Sequence, residues 1–320
     1  MPPPTNPPLV LDPEALLGPV GRPLHRDAQL DELRACFSGP LARVHPLHAW
    51  LHGPPGAGKT NCVRYLFEQE VQKEGVLPVY VNCRERFTFL GVVERILDAL
   101  KPLRSPQRTK EVQLSILRAE LADRRAVIGL DEVDTLPKED RADLLGHLCE
   151  FPKVSVVCVG PTRLALLELP EAVSSRLAPR QILFPRYQPE EVAALLRKTL
   201  AAALRPGARQ EGALEKLVEY SYGDARRALA LPRHAVHRAE AAGSQLLKAE
   251  HLLSANFSHY DPQEEEKLSV LGANYRVLVE PREGTSPSDG AGARVRGSEQ
   301  AEGDGARLAA DAQQVPRDPV

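Results

Sequence analysis

The chain has 320 residues, room for one large domain or two modest ones, and its 42% hydrophobic and 26% charged residues suit a globular protein with its own core. A net charge of -2 excludes a global basic field toward nucleic acid and leaves only local patches for that purpose. Five scattered cysteines without C-x-x-C spacing fit reduced thiols better than disulfides or zinc, and no apolar run nears the ~18 residues of a membrane helix, so the expected setting is cytoplasmic, with no membrane partner.

In chain order, residues 1–20 are Pro-rich and expected to be a flexible lead-in. Short β-rich runs then alternate with helical stretches through residue 187. The strands are expected at 49–51, 77–83, 126–130, 154–159 and 181–184, and the helices at 61–72, 89–100 and 111–123. Continuous apolar runs such as 126–130 and 154–159 mark strands buried on both faces, so the expected class is α/β, a parallel sheet with helices on both sides. From 188 to 257 the pattern is wholly helical, with helices at 189–204, 212–220, 225–242 and 248–256, a small separate domain. Residues 258–283 read as a short remnant. Residues 284–320 are almost devoid of large apolar side chains, and disorder is expected there.

Two motifs carry chemistry. The run Gly53-Pro54-Pro55-Gly56-Ala57-Gly58-Lys59-Thr60 matches G-x-x-x-x-G-K-S/T and stands between an expected strand and an expected helix that opens near Asn61. Glycines let backbone N–H groups close around phosphates, Lys59 reaches the outer phosphates, and Thr60 can ligate Mg²⁺. About 70 residues later, Val127-Ile128-Gly129-Leu130 ends in Asp131-Glu132, two carboxylates at the carboxyl edge of a strand. Asp131 suits a metal ligand and Glu132 a base for the attacking water. The implied cofactors are ATP or ADP with Mg²⁺.

The order of features resembles the AAA+ replication initiators of the origin-recognition subunit 1 and cell-division-cycle 6 type, over residues 20–257. Pro23-Leu24-His25-Arg26-Asp27 is similar to the family segment near the adenine, and Val81-Asn82-Cys83-Arg84 to its second strand. Val173-Ser174-Ser175-Arg176-Leu177 resembles the segment whose arginine acts as a finger in a neighbouring subunit. Phe184-Pro185-Arg186-Tyr187 resembles a segment whose tyrosine helps hold nucleotide, and Gly223-Asp224-Ala225-Arg226-Arg227 the lid's second sensor, with Arg226 toward the γ-phosphate. The resemblance implies an AAA+ core over 21–187 with a helical lid over 188–257, and slow ATP hydrolysis. It also implies association with DNA and with further copies, or with another AAA+ or helicase-type protein.

Three departures accompany it. Where the family has a polar first sensor, this chain has Val159-Gly160-Pro161-Thr162, with Thr162 as the stand-in. Thr199 stands where an arginine is usual, with Arg197 slightly early. The residues after Asn256 are too few and too acidic for a complete winged helix. DNA contact is therefore expected from the basic stretch 101–110, through Arg104, Arg108 and Lys110. Two alternatives compete with a DNA-associated ATPase: a nucleotide-dependent switch or scaffold with little hydrolysis, and a target-selecting ATPase of a transposition or defence system.

Overall fold

The short apolar runs form the sheet they predict. Strands β1 (Ala49–His52), β2 (Leu77–Asn82), β3 (Ala126–Asp131), β4 (Val154–Gly160) and β5 (Arg180–Leu183) lie in the order β2-β3-β4-β1-β5, every neighbouring pair parallel. β3 and β4 are buried at every position because helices cover both faces, which is why they read as unbroken apolar runs. The computed structural model describes residues 8–18, 21–42, 47–73, 75–100 and 109–253. All of them belong to one compact unit, Met1–Val270. The expected remnant at 258–283 and the tail at 284–320 lie outside the described residues.

One face of the sheet, carrying Ala49, Leu51, Val127, Val157 and Ile182, packs on α1 (Asp27–Ala42) and α2 (Lys59–Leu66). The other, carrying Trp50, Val79, Ile128 and Val156, packs on α3 (Phe89–Leu100), α4 (Lys110–Leu121), α5 (Lys138–Leu148), α6 (Leu164–Leu167) and α7 (Glu171–Leu177). The continuous helix expected over 61–72 is instead α2 followed by one wide turn, Phe67–Val71, closed by Gln72 N–H to the Phe67 carbonyl at 3.2 Å. Phe67 lies against Gly129 of β3, where a Cβ would come within 3.1 Å of its ring.

The second core is the lid: α8 (Pro189–Ala203), α9 (Ala213–Ser221), α10 (Ala225–Ala241) and α11 (Glu250–Leu253). Pro189 opens α8, and Gln188 and Glu191 bond reciprocally across its first turn. The expected flexible lead-in needs correction at 8–18. Leu9 and Leu16 are buried at 3% and 5% exposure in the lid core, and Leu11 N–H bonds the Ala203 carbonyl at 2.8 Å. Burial of two leucines offsets the ordering of a Pro-rich segment whose entropy is already low. Among the described residues no helix is long and apolar enough to cross a membrane.

Candidate nucleotide site

The loop Gly53–Thr60 leaves the carboxyl end of β1 and enters α2 at Lys59. Gly53, Gly56 and Gly58 all take positive φ, at 147°, 70° and 90°. Two of them also have no room for a side chain: a Cβ on Gly53 would fall 2.0 Å from the Phe184 carbonyl oxygen, and one on Gly56 1.9 Å from Asp224 Oδ1. The loop is thus held between the exit of β5 and the lid. From β4, the Pro161 carbonyl accepts Gly53 N–H at 3.1 Å, so the proline at the first-sensor position contributes its acceptor instead of a donor. Thr162 Oγ1 accepts Leu164 N–H at 3.2 Å, a local turn just ahead of α6.

Lys59 donates to the carbonyls of Gly53 and of Pro54, the latter at 2.9 Å. Burial first, and the Arg226 guanidinium second, lower its pKa to about 8. Its hydrogen-bond partners here are neutral carbonyls, and the carboxylates of Asp131, Asp134 and Asp224 only partly offset the desolvation, so a phosphate would favour the charged form. Thr60 Oγ1 donates to Asp131 Oδ2 at 2.7 Å, and Tyr80 donates to the same oxygen at 2.5 Å. Two hard oxygen ligands side by side, one a carboxylate at 5% exposure, fit Mg²⁺. Glu132 follows at φ 52°, a left-handed conformation that turns its side chain away from the strand direction, and Arg84 Nη1 lies 3.7 Å from its carboxylate. Asp134 keeps exposed surface, yet desolvation raises its carboxyl above the usual range, against the pull of Arg141 and Lys59. Its Oδ1 lies 3.4 Å from where a Cβ on Gly160 would stand.

The lid closes the third side. Asp224 caps α10 by accepting Arg227 N–H at 3.0 Å, and Ala225 N–H bonds the Gly56 carbonyl at 3.1 Å. Arg226 follows on the first turn, exposed and close enough to perturb Lys59. Tyr187 is buried with its hydroxyl against Gly58, and burial raises its pKa. Arg26 is 2% exposed and stacks 3.6 Å over the Tyr187 ring. Its Nε donates to the Ala57 carbonyl and its Nη2 to that of Pro185, both at 2.9 Å, and Nη1 takes the His25 carbonyl at the same distance. His25 itself is exposed at φ 55°, and Asn61 is exposed on the first turn of α2.

The fold therefore brings together Gly53–Thr60, Asp131, Glu132, Arg26, Tyr187 and Arg226. It does not bring Arg176 to them. Among the described residues, the partners of Arg176 are the Ala172 carbonyl at 3.1 Å and Glu150 at 3.8 Å, beside a cavity of about 340 Å³ between α5 and α7. Of the three basic residues expected to meet DNA, Arg104 and Arg108 lie outside the described residues. Lys110 is held by Asp143 and sits 4.5 Å from the centre of the Phe89 ring. Arg197 is exposed on α8, while Thr199 is buried with no partner for its hydroxyl among the described residues. Sequence reasoning missed Tyr80, Asp134, Arg84 and Asp224. The pairing of Tyr80 with Gly129 in the register of β2 on β3 was the missing signal for the first, and the run Asp131-Glu132-Val133-Asp134 offered one for the second.

Comparison with known proteins agrees with this fold. An AAA domain family model matches residues 43–168. The chain is 30% identical over 241 residues to ORC1-type DNA replication protein 2 of Methanosarcina acetivorans, covering 70% of this chain and 64% of that protein. It thus spans just under two thirds of the length of the first curated relatives it matches. The ORC1 protein of Aeropyrum pernix, solved in complex with DNA, superposes with a TM-score of 0.68 at 29% identity, covering 82% of this chain and 72% of that one. Cdc6p of Pyrobaculum aerophilum shares the fold, with a TM-score of 0.66 at 22% identity, covering 75% and 69%. The parallel sheet with its phosphate-type loop and the helical lid give the chain the AAA+ P-loop fold, and its sequence is similar to that of ORC1-type DNA replication proteins.

Proposed function

We propose that the chain binds Mg²⁺–ATP, hydrolyses it slowly and uses the nucleotide to control association with duplex DNA, in the manner of a replication initiator. The observation that carries the nucleotide part is the 2.7 Å bond between Thr60 and Asp131, which joins the two motifs across 71 residues. In this reading the N–H groups of Gly56–Thr60 cradle the phosphates, and Lys59 exchanges its carbonyl partners for phosphate oxygens. Thr60 and Asp131 hold Mg²⁺, which neutralises phosphate charge when bound. Glu132 released from Arg84 takes the proton of the attacking water. Arg226 supplies charge from the lid, and Arg176, turned outward, supplies it to a neighbouring copy. The DNA part is supported by the relatives named ORC1-type DNA replication proteins and by the DNA complex of the Aeropyrum pernix protein.

Melting the full chain with and without Mg²⁺–ATP tests the nucleotide site. At a hundredfold excess over Kd, ATP should stabilise by about 2.7 kcal/mol, some 5–10 °C for an ordered body of this size. Lys59→Ala should abolish that rise. Equal stabilisation of both proteins overturns the assignment.

A further inference from the structure

The geometry points to a second anion site, on the lid: a pocket formed by Arg197, Arg205 and Arg209 that holds phosphates of a DNA backbone. It deepens the DNA part of the reading above and does not depend on ATP hydrolysis. The end of α8 and the loop that follows wall a cavity of about 420 Å³. Its lining supplies three guanidinium groups and no carboxylate. Several other arginines are neutralised within the chain, Arg34 by Glu70, Arg124 by Glu120, Arg141 by Glu168 and Arg180 by Glu32. Three like charges around one hollow repel each other unless an anion lies between them.

Arg205 gives the second observation. Its Nη2 donates to the Gln245 carbonyl at 3.3 Å, while its Nε is buried with no acceptor among the described residues. Buried N–H groups are nearly always paired, so this donor is available to an acceptor outside the described residues. The helix end does not explain the cluster, because the Ala203 carbonyl is taken by Leu11 and Asp12 N–H at 2.8 and 3.2 Å.

The walls choose the ligand. Guanidinium forks match the tetrahedral oxygens of phosphate. Leu200, Leu204 and Ala208 back the pocket and no aromatic ring lines it, so there is no face on which a base could stack. Arg197 and Arg209 are exposed at the mouth, next to exposed Lys198, an arrangement open to a long backbone rather than closed around a small molecule. The pocket is also separate from the ATP loop, since α8 rises about 1.5 Å per residue away from Tyr187.

The test uses the full chain in saturating Mg²⁺–ATP, with an unrelated-sequence duplex and sodium tripolyphosphate as probes. Tripolyphosphate should displace the duplex. The double substitution Arg197→Ala/Arg209→Ala, both exposed, should melt like wild type, bind duplex at least tenfold more weakly at low salt, and flatten the salt slope by about 0.9 for each phosphate lost. Arg233→Ala, another exposed lid arginine, serves as control and should change neither. If tripolyphosphate binding needs the two arginines but duplex affinity does not, the pocket takes a small phosphate ester and the DNA assignment is wrong. If the double variant binds both probes as wild type does, the site itself is refuted. ATP stabilisation, read in the same samples, reports the P-loop separately, so failure of one reading is distinguishable from failure of the other.

Discussion

Replacing Arg26 with alanine should damage the protein before any nucleotide is added. The Arg26 guanidinium reaches the phosphate-type loop at Ala57, the segment leaving β5 at Pro185, and the Tyr187 ring at 3.6 Å. Truncation leaves two interior carbonyls without their donor, at about 1–3 kcal/mol each, and removes a stacked cation worth about 1 kcal/mol. The sum is about 3–7 kcal/mol, or roughly 10–20 °C in the melting point of a body this large. Calorimetry of the nucleotide-free protein is the assay, with Arg26→Lys as a partner variant that keeps the charge, loses the fork and falls in between. Had the resemblance alone been followed, Arg26 would be a nucleotide ligand, whose loss lowers ATP affinity and leaves the nucleotide-free melting point alone. A nucleotide-free melting point within about 2 °C of wild type, with weakened ATP binding, would refute the clasp.

Lys59 titrates at about 8 in the folded chain and at 10.5 in the unfolded one, so the unfolded state holds more protons between those values. Stability should therefore rise with pH across that window, a rise missing from Lys59→Met, and a flat difference between the two would count against the buried ammonium. ATP should restore the proton, so binding at pH 8.5 should take up part of one, seen as heats that differ between buffers of unlike ionisation enthalpy. Glu132→Gln should keep ATP stabilisation and lose about 10²–10⁴ in turnover; undiminished turnover would place the base elsewhere. Hydrolysis per molecule should climb with protein concentration and the climb should vanish in Arg176→Ala, whereas a concentration-independent rate would remove the finger in trans.

Much of the sheet was legible because β3 and β4, covered on both faces, can be built only from apolar residues. The loop was legible because its chemistry lies in eight consecutive residues. What escaped was non-local. Neither the bond from Tyr80 to Asp131 nor the clasp of Arg26 on Ala57 and Pro185 has a signature along the chain, since each depends on strand register or on how distant loops of the core meet. Helix α5 was passed over because its run opens with Lys138-Glu139-Asp140-Arg141, although Leu144, Leu145 and Leu148 carry its buried face. The wide turn at Phe67–Val71 answers to Gly129, about sixty residues away, and no helical periodicity encodes it.

The hydrogen bond from Ala225 to Gly56, with Asp224 pressed against the same glycine, makes the lid's first turn a wall of the phosphate loop. Nucleotide affinity and lid position then become one thermodynamic quantity, to be traded in either direction. A partner or a DNA strand that gripped α8–α11 and drew them back would loosen ATP by the same factor as ATP loosens that grip, with no contact between the two ligands. Under the function proposed above, that reciprocity would make the lid the place where association is read and the loop the place where it is remembered, for as long as the γ-phosphate lasts.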